Sequence, residues 1–365
     1  MSIMEKQIWE RPLQLVPNKI PRYPGGREID RFRGVKNPKD DGRPEAWVGS
    51  TTHAINKDKV GDKNLGLSEV WLPTGHKVLL KDLIEKYPRE LLGEKHVNKF
   101  GSNTCILVKL LDAKNQLGLQ THPTREYARK YFNSEFGKVE SWYIIGLRED
   151  QEEQPYVLLG FKEGISRQIF EELYEKQDIR AMEEWCHKIP VSVGDVFFVD
   201  AGVPHAVGPG CFLIEVQESS DITVGVTKRN FSSKHEELKY KELLLGCYKY
   251  MGTSYDENLK KYKILPRIIK NNKGGTEKLL LGMEQTSYFS ILEIEVRDEF
   301  ILNDTGTFSI AIILEGKGEM IFEGGSLDIC KSNEIFLPAG IKNLTCKNKG
   351  DIPLRLVQAF PPEVF

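Results

Sequence analysis

Four side chains in this sequence are of types that bind metal ions, and their spacing lets one cavity collect them: Gln120, His122, Glu140 and His205. Gln120 and His122 are two apart, and alternate residues of an extended strand face the same side, so both can point into one space. Glu140 follows eighteen residues later at the head of a strand-like run, 140–147, and His205 comes from a Gly- and Pro-containing turn sixty-five residues further on. Together they offer an amide oxygen, a carboxylate and two imidazoles. That set suits Zn²⁺, one ion per chain, and would also accept Fe²⁺, Mn²⁺ or Co²⁺, with a position left open for substrate or water. The competing reading from spacing alone is a pair of hydrogen-bonded core histidines. His53, His76, His96, His187 and His235 lack such company and read as surface or capping residues.

The elements that must position these groups are mostly short strands. Residues 105–111, CILVKLL, form an apolar strand interrupted by Lys109, which either snorkels at a sheet edge or is held by a carboxylate in a cavity. Glu45 and Trp47 share a face of the run EAWVGS; the plainer reading is a surface Glu beside a packing Trp. Residues 13–53 are dense in Pro and Gly and predict loops and short strands. Residues 82–100 predict two short helices broken around Pro88, and 123–132, opening with Pro123, predict a helix over the metal-side loop.

Strands are expected at 140–147 and 155–160, helices at 166–186, and from Val191 the strand, turn, strand rhythm is that of a β-barrel wall. Residues 231–251 are helical again. The segment 195–205, DVFFVDAGVPH, can be laid on 334–343, EIFLPAGIKN, with one residue removed, which sets Asn343 where the first copy has His205. The expectation is a mainly β chain with added α: a metal-binding barrel domain at 1–160 and 188–230, helical segments at 161–187 and 231–260, and a second barrel at 261–365 without metal ligands.

Composition narrows the partners. The 365 residues carry 51 Lys plus Arg against 53 Asp plus Glu, a net charge of -2, so no global field holds nucleic acid or an acidic membrane. No apolar run approaches the ~20 residues that span a bilayer, and the N-terminus lacks the apolar core of a signal peptide, so a cytoplasmic location is expected. The six cysteines are scattered with no CxxC pair and read as buried thiols.

QTHP, then GKVESWYII, then DAGVPHAVGPG with IEVQESSD, ordered along residues 45–221, resemble the type I mannose-6-phosphate isomerase family of zinc-dependent cupins. The resemblance implies two cupin (jelly-roll β-barrel) domains plus a helical insertion, Gln120, His122, Glu140 and His205 as the zinc ligands, and Lys138 and Lys109 lining the site. It implies an aldose-ketose isomerase that moves a proton between C1 and C2 through a cis-enediol, on mannose 6-phosphate and fructose 6-phosphate or a related pair, phosphorylated or not. A base must reach the C2 proton, and Glu215, Asp221 and a solvent molecule at the ion are the candidates. Lys138 serves as acid/base or only neutralises Glu140. The expected partner is a small sugar or sugar phosphate, and the chain a monomer or homodimer.

Two positions depart from the family pattern. Gly118 stands where the family has a Ser that contacts the substrate phosphate, and Gly225 where it has an Arg near the reacting carbons. Both losses put the phosphorylated substrate in doubt. The next cations, Lys228 and Arg229, join Glu45 and Trp47 as expected substrate-binding residues. The alternatives are a non-catalytic or regulatory sugar-binding cupin and, more distantly, an iron oxygenase.

Overall fold

The computed structural model describes residues 8–55 and 62–363; the first seven residues, part of the N-terminus read above, lie outside the described residues. The chain is mostly β, arranged as two sandwiches of cupin type with a layer of helices on the first. In the first sandwich one sheet runs in the order Lys263–Ile264, Val196–Val199, Glu140–Leu147, Cys211–Glu218, Ile106–Asp112, Glu45–Val48, Lys19–Ile20. The facing sheet runs Cys186–Pro190, Tyr156–Phe161, His205–Val207, Gln120–Thr121, Val224–Gly225. The second sandwich repeats the plan with sheets of seven and four strands.

The strand Ile106–Asp112 shows how sequence becomes layer. Side chains alternate across a strand. Ile106, Val108 and Leu110 therefore face outward, into an apolar cluster shared with Ile310, Ile312, Phe336 and Val357 of the second sandwich. Leu107, Lys109 and Leu111 face inward. Every residue of this strand is buried, which is why it reads as a continuous apolar run with one lysine in it. Its neighbour Cys211–Glu218 alternates in the same way, Ile214 and Val216 outward and Glu215 inward. A second inner cluster, with Trp142, Ile144, Val157, Leu159, Phe197 and Leu213, fills the sandwich beside the site.

Several elements differ from the expectation. Residues 82–100 belong to three short helices, Leu80–Lys86, Pro88–Leu92 and Glu94–Phe100, because Gly93 at φ 97° breaks the chain a second time. The expected domain limits are crossed at both ends: Leu13–Gln14 pairs with Phe336 and Ile335 of the second sandwich, while Lys263–Ile264 completes a sheet of the first. Periodicity does not encode such exchanges, since two-residue strands carry no repeat. Residues 231–251 form the helix Lys234–Cys247, started by Ser233 accepting from Glu236 N. His96 and His187 are buried, each ring bonded to a backbone carbonyl, of Asn103 and Thr253; Cys330 is the exposed thiol.

One buried ion group ties the loop 21–28 to the first sandwich. Asp112 Oδ2 accepts from Gly26 N at 2.8 Å and Glu28 N at 2.9 Å, and Arg148 bridges Asp112 and Asp40, both at 2.6 Å. Gly25 is required there: at φ 147° a Cβ would lie 2.4 Å from Asp112 O. Burial alone would raise the Asp40 carboxyl, but Arg148 outweighs it and holds the group down at about 2. A carboxyl depressed in the folded state contributes stability above its ordinary value and loses it as pH falls toward the folded one. Arg148→Ala should cost about 3–5 kcal/mol in urea unfolding, because it leaves Asp112 buried and unpaired, and should flatten the acid limb of stability between about pH 4 and 2; an unchanged midpoint would show that the group does not anchor the loop.

Candidate metal centre

His205 and Gln120 stand directly opposite each other on paired strands, so their side chains share a face. His122 follows Thr121, whose hydroxyl donates to Val203 O and pins this short strand beside the turn that carries His205. Glu140 comes from the facing sheet, opposite Val199 and Gln217. The ligand atoms of His122, Glu140 and His205 all lie within 4.8 Å of one another, and all three residues are buried. Gln120 Nε2 is 3.4 Å from His205 Nε2, so its amide head reaches the same point.

The hydrogen bonds behind the imidazoles decide what they present. His122 Nδ1 is 2.9 Å from Ile222 O and His205 Nδ1 is 3.0 Å from Val203 O. A carbonyl only accepts, so both Nδ1 carry the proton and both Nε2 present lone pairs. Those Nε2 atoms face each other at 3.2 Å, and Glu140 reaches them at 3.3 and 3.4 Å. Burial, reinforced by Lys138, lowers the His122 pKa to about 3, and burial lowers that of His205, so neither ring supplies the missing charge. Burial would raise the Glu140 carboxyl, yet Lys138 at 2.8 Å holds it well below the usual carboxylate range. Two lone pairs and a buried carboxylate converging on one point are a cation site, and two nitrogens with a carboxylate and an amide fit a borderline divalent ion.

The cluster opens on a cavity of about 390 Å³ lined by Gln120, Lys138, Glu140, Glu215, Lys109, Glu45, Asp221 and Trp142, among others. Across the sheet, Trp47, Lys109, Glu215 and Trp142 stand in one cross-strand row. Lys138 Nζ lies 2.8 Å from Glu140, 2.9 Å from His122 Nε2 and 3.5 Å from Glu215; Lys109 Nζ lies 3.1 Å from Glu215 and 3.7 Å from Glu45. Burial opposes the charge on Lys109, but Glu215 and Glu45 raise its pKa, so it stays protonated. Burial raises the Glu215 carboxyl against both lysines. A larger cavity, about 910 Å³, lies on the second sandwich among Arg267, Glu277, Asn303 and Gln358. The smaller one is the candidate site, since it alone adjoins the grouped metal ligands found among the described residues.

Not every expected residue stands here. Trp47 packs behind the cavity with Ile20 and Leu107, and its Nε1 donates to Glu45 Oε2 at 2.8 Å, so Glu45 is a buried lining residue and not a surface one. Lys228 and Arg229, expected as the next cations for the substrate, face the helices instead. Lys228 reaches Glu237 at 3.5 Å, and Arg229 lies over the Tyr240 ring. A Cβ added at Gly118 would meet nothing within 4 Å, and one at Gly225 only Leu119 O at 3.8 Å, so no neighbouring group fills either position. Arg22 and Tyr23 do line the cavity. Sequence reasoning missed them because they lie in the Pro- and Gly-rich stretch, where no periodicity marks an inward side chain.

Residues 21–143 match the family model described as phosphomannose isomerase type I, catalytic domain, and residues 281–354 match mannose-6-phosphate isomerase, cupin domain. The chain is 27% identical over 279 residues to the mannose-6-phosphate isomerase ManA of Bacillus subtilis, covering 76% of this chain and 78% of that one. It is likewise 27% identical over 286 residues to the mannose-6-phosphate isomerase of Streptococcus mutans, covering 74% and 81%. Among solved structures, the mannose 6-phosphate isomerase of Bacillus subtilis superposes with a TM-score of 0.74 at 22% identity, over 95% of this chain and 99% of that one. A zinc-bound mannose 6-phosphate isomerase superposes with a TM-score of 0.72 at 16% identity, over 96% and 100%.

His122→Ala should weaken binding of a divalent ion by at least about 100-fold in a chelator competition, since it removes a ligand and not merely one of its supporting bonds; an affinity within threefold of the parent would exclude this cluster as the centre.

Proposed function

The chain belongs to the type I mannose-6-phosphate isomerase family, and we propose that it is a zinc-dependent aldose-ketose isomerase acting on mannose 6-phosphate and fructose 6-phosphate or on the corresponding unphosphorylated pair. The observation that carries the reading is the pair of imidazole Nε2 atoms facing each other at 3.2 Å beside Glu140, which lines a polar cavity. Gln120, His122, Glu140 and His205 would hold the ion, which would supply a positive charge able to polarise a sugar carbonyl.

The remaining work falls to the chain's own carboxylates and lysines. Interconversion moves a proton from C2 to C1 while negative charge develops on the oxygens of the cis-enediol. Lys138 and Lys109 flank Glu215 at 3.5 and 3.1 Å, so they place positive charge along the path of that developing charge. Glu215 takes the C2 proton and returns it to C1. It is preferred to Asp221 because it stands next to the lysine that touches the metal ligands, whereas Asp221 is held by Arg22 at 2.5 Å and by Ile55 N at 2.6 Å. Burial raises the Glu215 carboxyl, which makes it a stronger base once ionised.

The zinc-loaded protein should interconvert mannose 6-phosphate with fructose 6-phosphate, or mannose with fructose, should lose turnover to a chelator and should recover it with zinc. Glu215→Gln should lower kcat by about 10²–10⁴-fold while the ion stays bound. Absence of turnover on both pairs by the zinc-loaded protein would overturn the reading.

A further inference from the structure

The two sandwiches can be laid on one another strand by strand. Anchored on the Ala-Gly pair that follows each, Val196–Val199 corresponds to Glu334–Leu337, so Glu140, opposite Val199, corresponds to Ser309, opposite Leu337. The inward row Trp47, Lys109, Glu215, Trp142 of the first sandwich then corresponds to Leu279, Leu292, Gln358, Ala311 of the second, joined by the same cross-strand pairs. Two tryptophans and a lysine are replaced by smaller apolar residues, and the glutamate by its amide. The cavity beside this row is the larger of the two, about 910 Å³ against about 390 Å³. One carboxylate is kept: Glu277 stands where the first sandwich has Glu45, two residues before the first member of the row.

The second cavity presents amides, hydroxyls and this one buried carboxylate against apolar walls. Leu279, Leu292 and Phe360 line it beside Gln358, Asn303 and Glu277. Gln358 is buried and donates to Ser309 Oγ at 2.7 Å, and among the described residues no other protein group bonds to its amide. Glu277 is 2% exposed, and the Asn303 amide lies 3.4 Å from each of its oxygens, near the limit of a hydrogen bond. Lys270, its cross-strand neighbour, donates instead to Ile301 O at 3.0 Å, and no cation among the described residues forms an ion pair with Glu277. Burial raises its carboxyl. A buried carboxyl so thinly paired calls for a donor.

We propose that the second sandwich holds a separate, metal-free binding site for an uncharged carbohydrate of two rings, with Glu277, Asn303 and Gln358 as its hydrogen-bonding residues. Sugar hydroxyls donate and accept, so one ligand can donate to Glu277 and the Gln358 carbonyl and accept from the Asn303 amide while its apolar ring faces lie on Leu279, Leu292 or Phe360. At about 910 Å³ the cavity lies near the top of the roughly 300–1,000 Å³ range of ligand sites, which sets the length at two rings and not one. A divalent ion finds no ligand set, since Ser309 and Asn343 stand where the first sandwich has Glu140 and His205. An anion finds no free charge inside: Arg267 and Lys342 are held by Glu284 at 2.9 Å and Asp304 at 2.7 Å, and Lys95 is exposed. An organic amine would satisfy Glu277 and leave the amides unmatched.

The test uses the zinc-loaded full chain with methyl mannobioside, a neutral probe whose blocked anomeric carbon cannot open to a carbonyl, and with butylammonium chloride and inorganic phosphate as charged probes. Methyl mannobioside should slow amide hydrogen exchange in Gly275–Leu281 and Leu354–Phe360 by at least about twofold, with no comparable change in Glu140–Leu147. Gln358→Leu should weaken its binding by about tenfold in calorimetry, and the near-isosteric Glu277→Gln by at least about threefold. Both variants should keep the parent's zinc affinity within about twofold, which separates a lost sugar contact from a lost fold. Absent protection of both strands overturns the proposal, as does binding within twofold of the parent in both variants. Stronger protection of the same strands by butylammonium or phosphate overturns it too. Should Gln358→Leu lose zinc affinity, Glu277→Gln and the parent's exchange pattern decide by the same criteria.

Discussion

Two neutral imidazoles, each anchored through Nδ1 to a backbone carbonyl, point their lone pairs at each other across 3.2 Å in a buried site. Left to itself this contact is repulsive, and the adjacent Glu140 adds a buried negative charge. The fold holds it because the anchors are backbone groups of the first sandwich: Ile222 O on one side, and Val203 O in the turn that Thr121 also grips. The energy that keeps these groups together comes from the apolar layers around them; Lys138 relieves part of the contact, and a divalent cation would relieve the rest. Architecture and chemistry meet at that one point.

The same constraint explains the cavity. Several ionised groups share a space largely shut off from bulk water, where an unpaired charge costs several kcal/mol. Their alternation, carboxylate then cation from Glu140 to Asp221, leaves each within reach of an opposite charge. The lysines that make burial of Glu215 tolerable are also the groups that would meet charge developing on a substrate in the proposed reaction. The sheet supplies the register, since Trp47, Lys109, Glu215 and Trp142 face inward from adjacent strands while their neighbours face the second sandwich. The second sandwich contributes to the site indirectly. By covering the outer face of that sheet with Ile310, Ile312 and Val357, it allows both faces to be buried.

Much of this was open to reading in the linear chain, and for definable reasons. Gln120 and His122 share a face because a strand alternates, and the one lysine in the run 105–111 marks an inward polar position because an apolar run tolerates a lysine only where something receives it. The helices expected over 123–132 and 231–251 are present as Arg125–Phe132 and Lys234–Cys247, their starts set by the caps Thr124 and Ser233. The second break in 80–100 was not legible, since Gly93 acts through a backbone angle that a window average smooths over. The burial of His96 and His187 was not legible either, because each is satisfied by a carbonyl distant in sequence or in another element.

The sequence by itself determined the chemical inventory: which residues could hold an ion, that the chain is mainly β in two related halves, and that Gly118 and Gly225 bring no side chain to the site. Tertiary structure alone decided how that inventory is spent. It turned Lys228 and Arg229 toward the helices and brought Arg22 and Tyr23, from a loop with no periodic signal, into the lining of the cavity. The physical reason is that alternation and capping are local and recur along the chain, whereas the partner of a charge is chosen by distance in space. Asp221 meets Arg22 across 199 residues of sequence and 2.5 Å of space, and no pattern within a strand or helix records that.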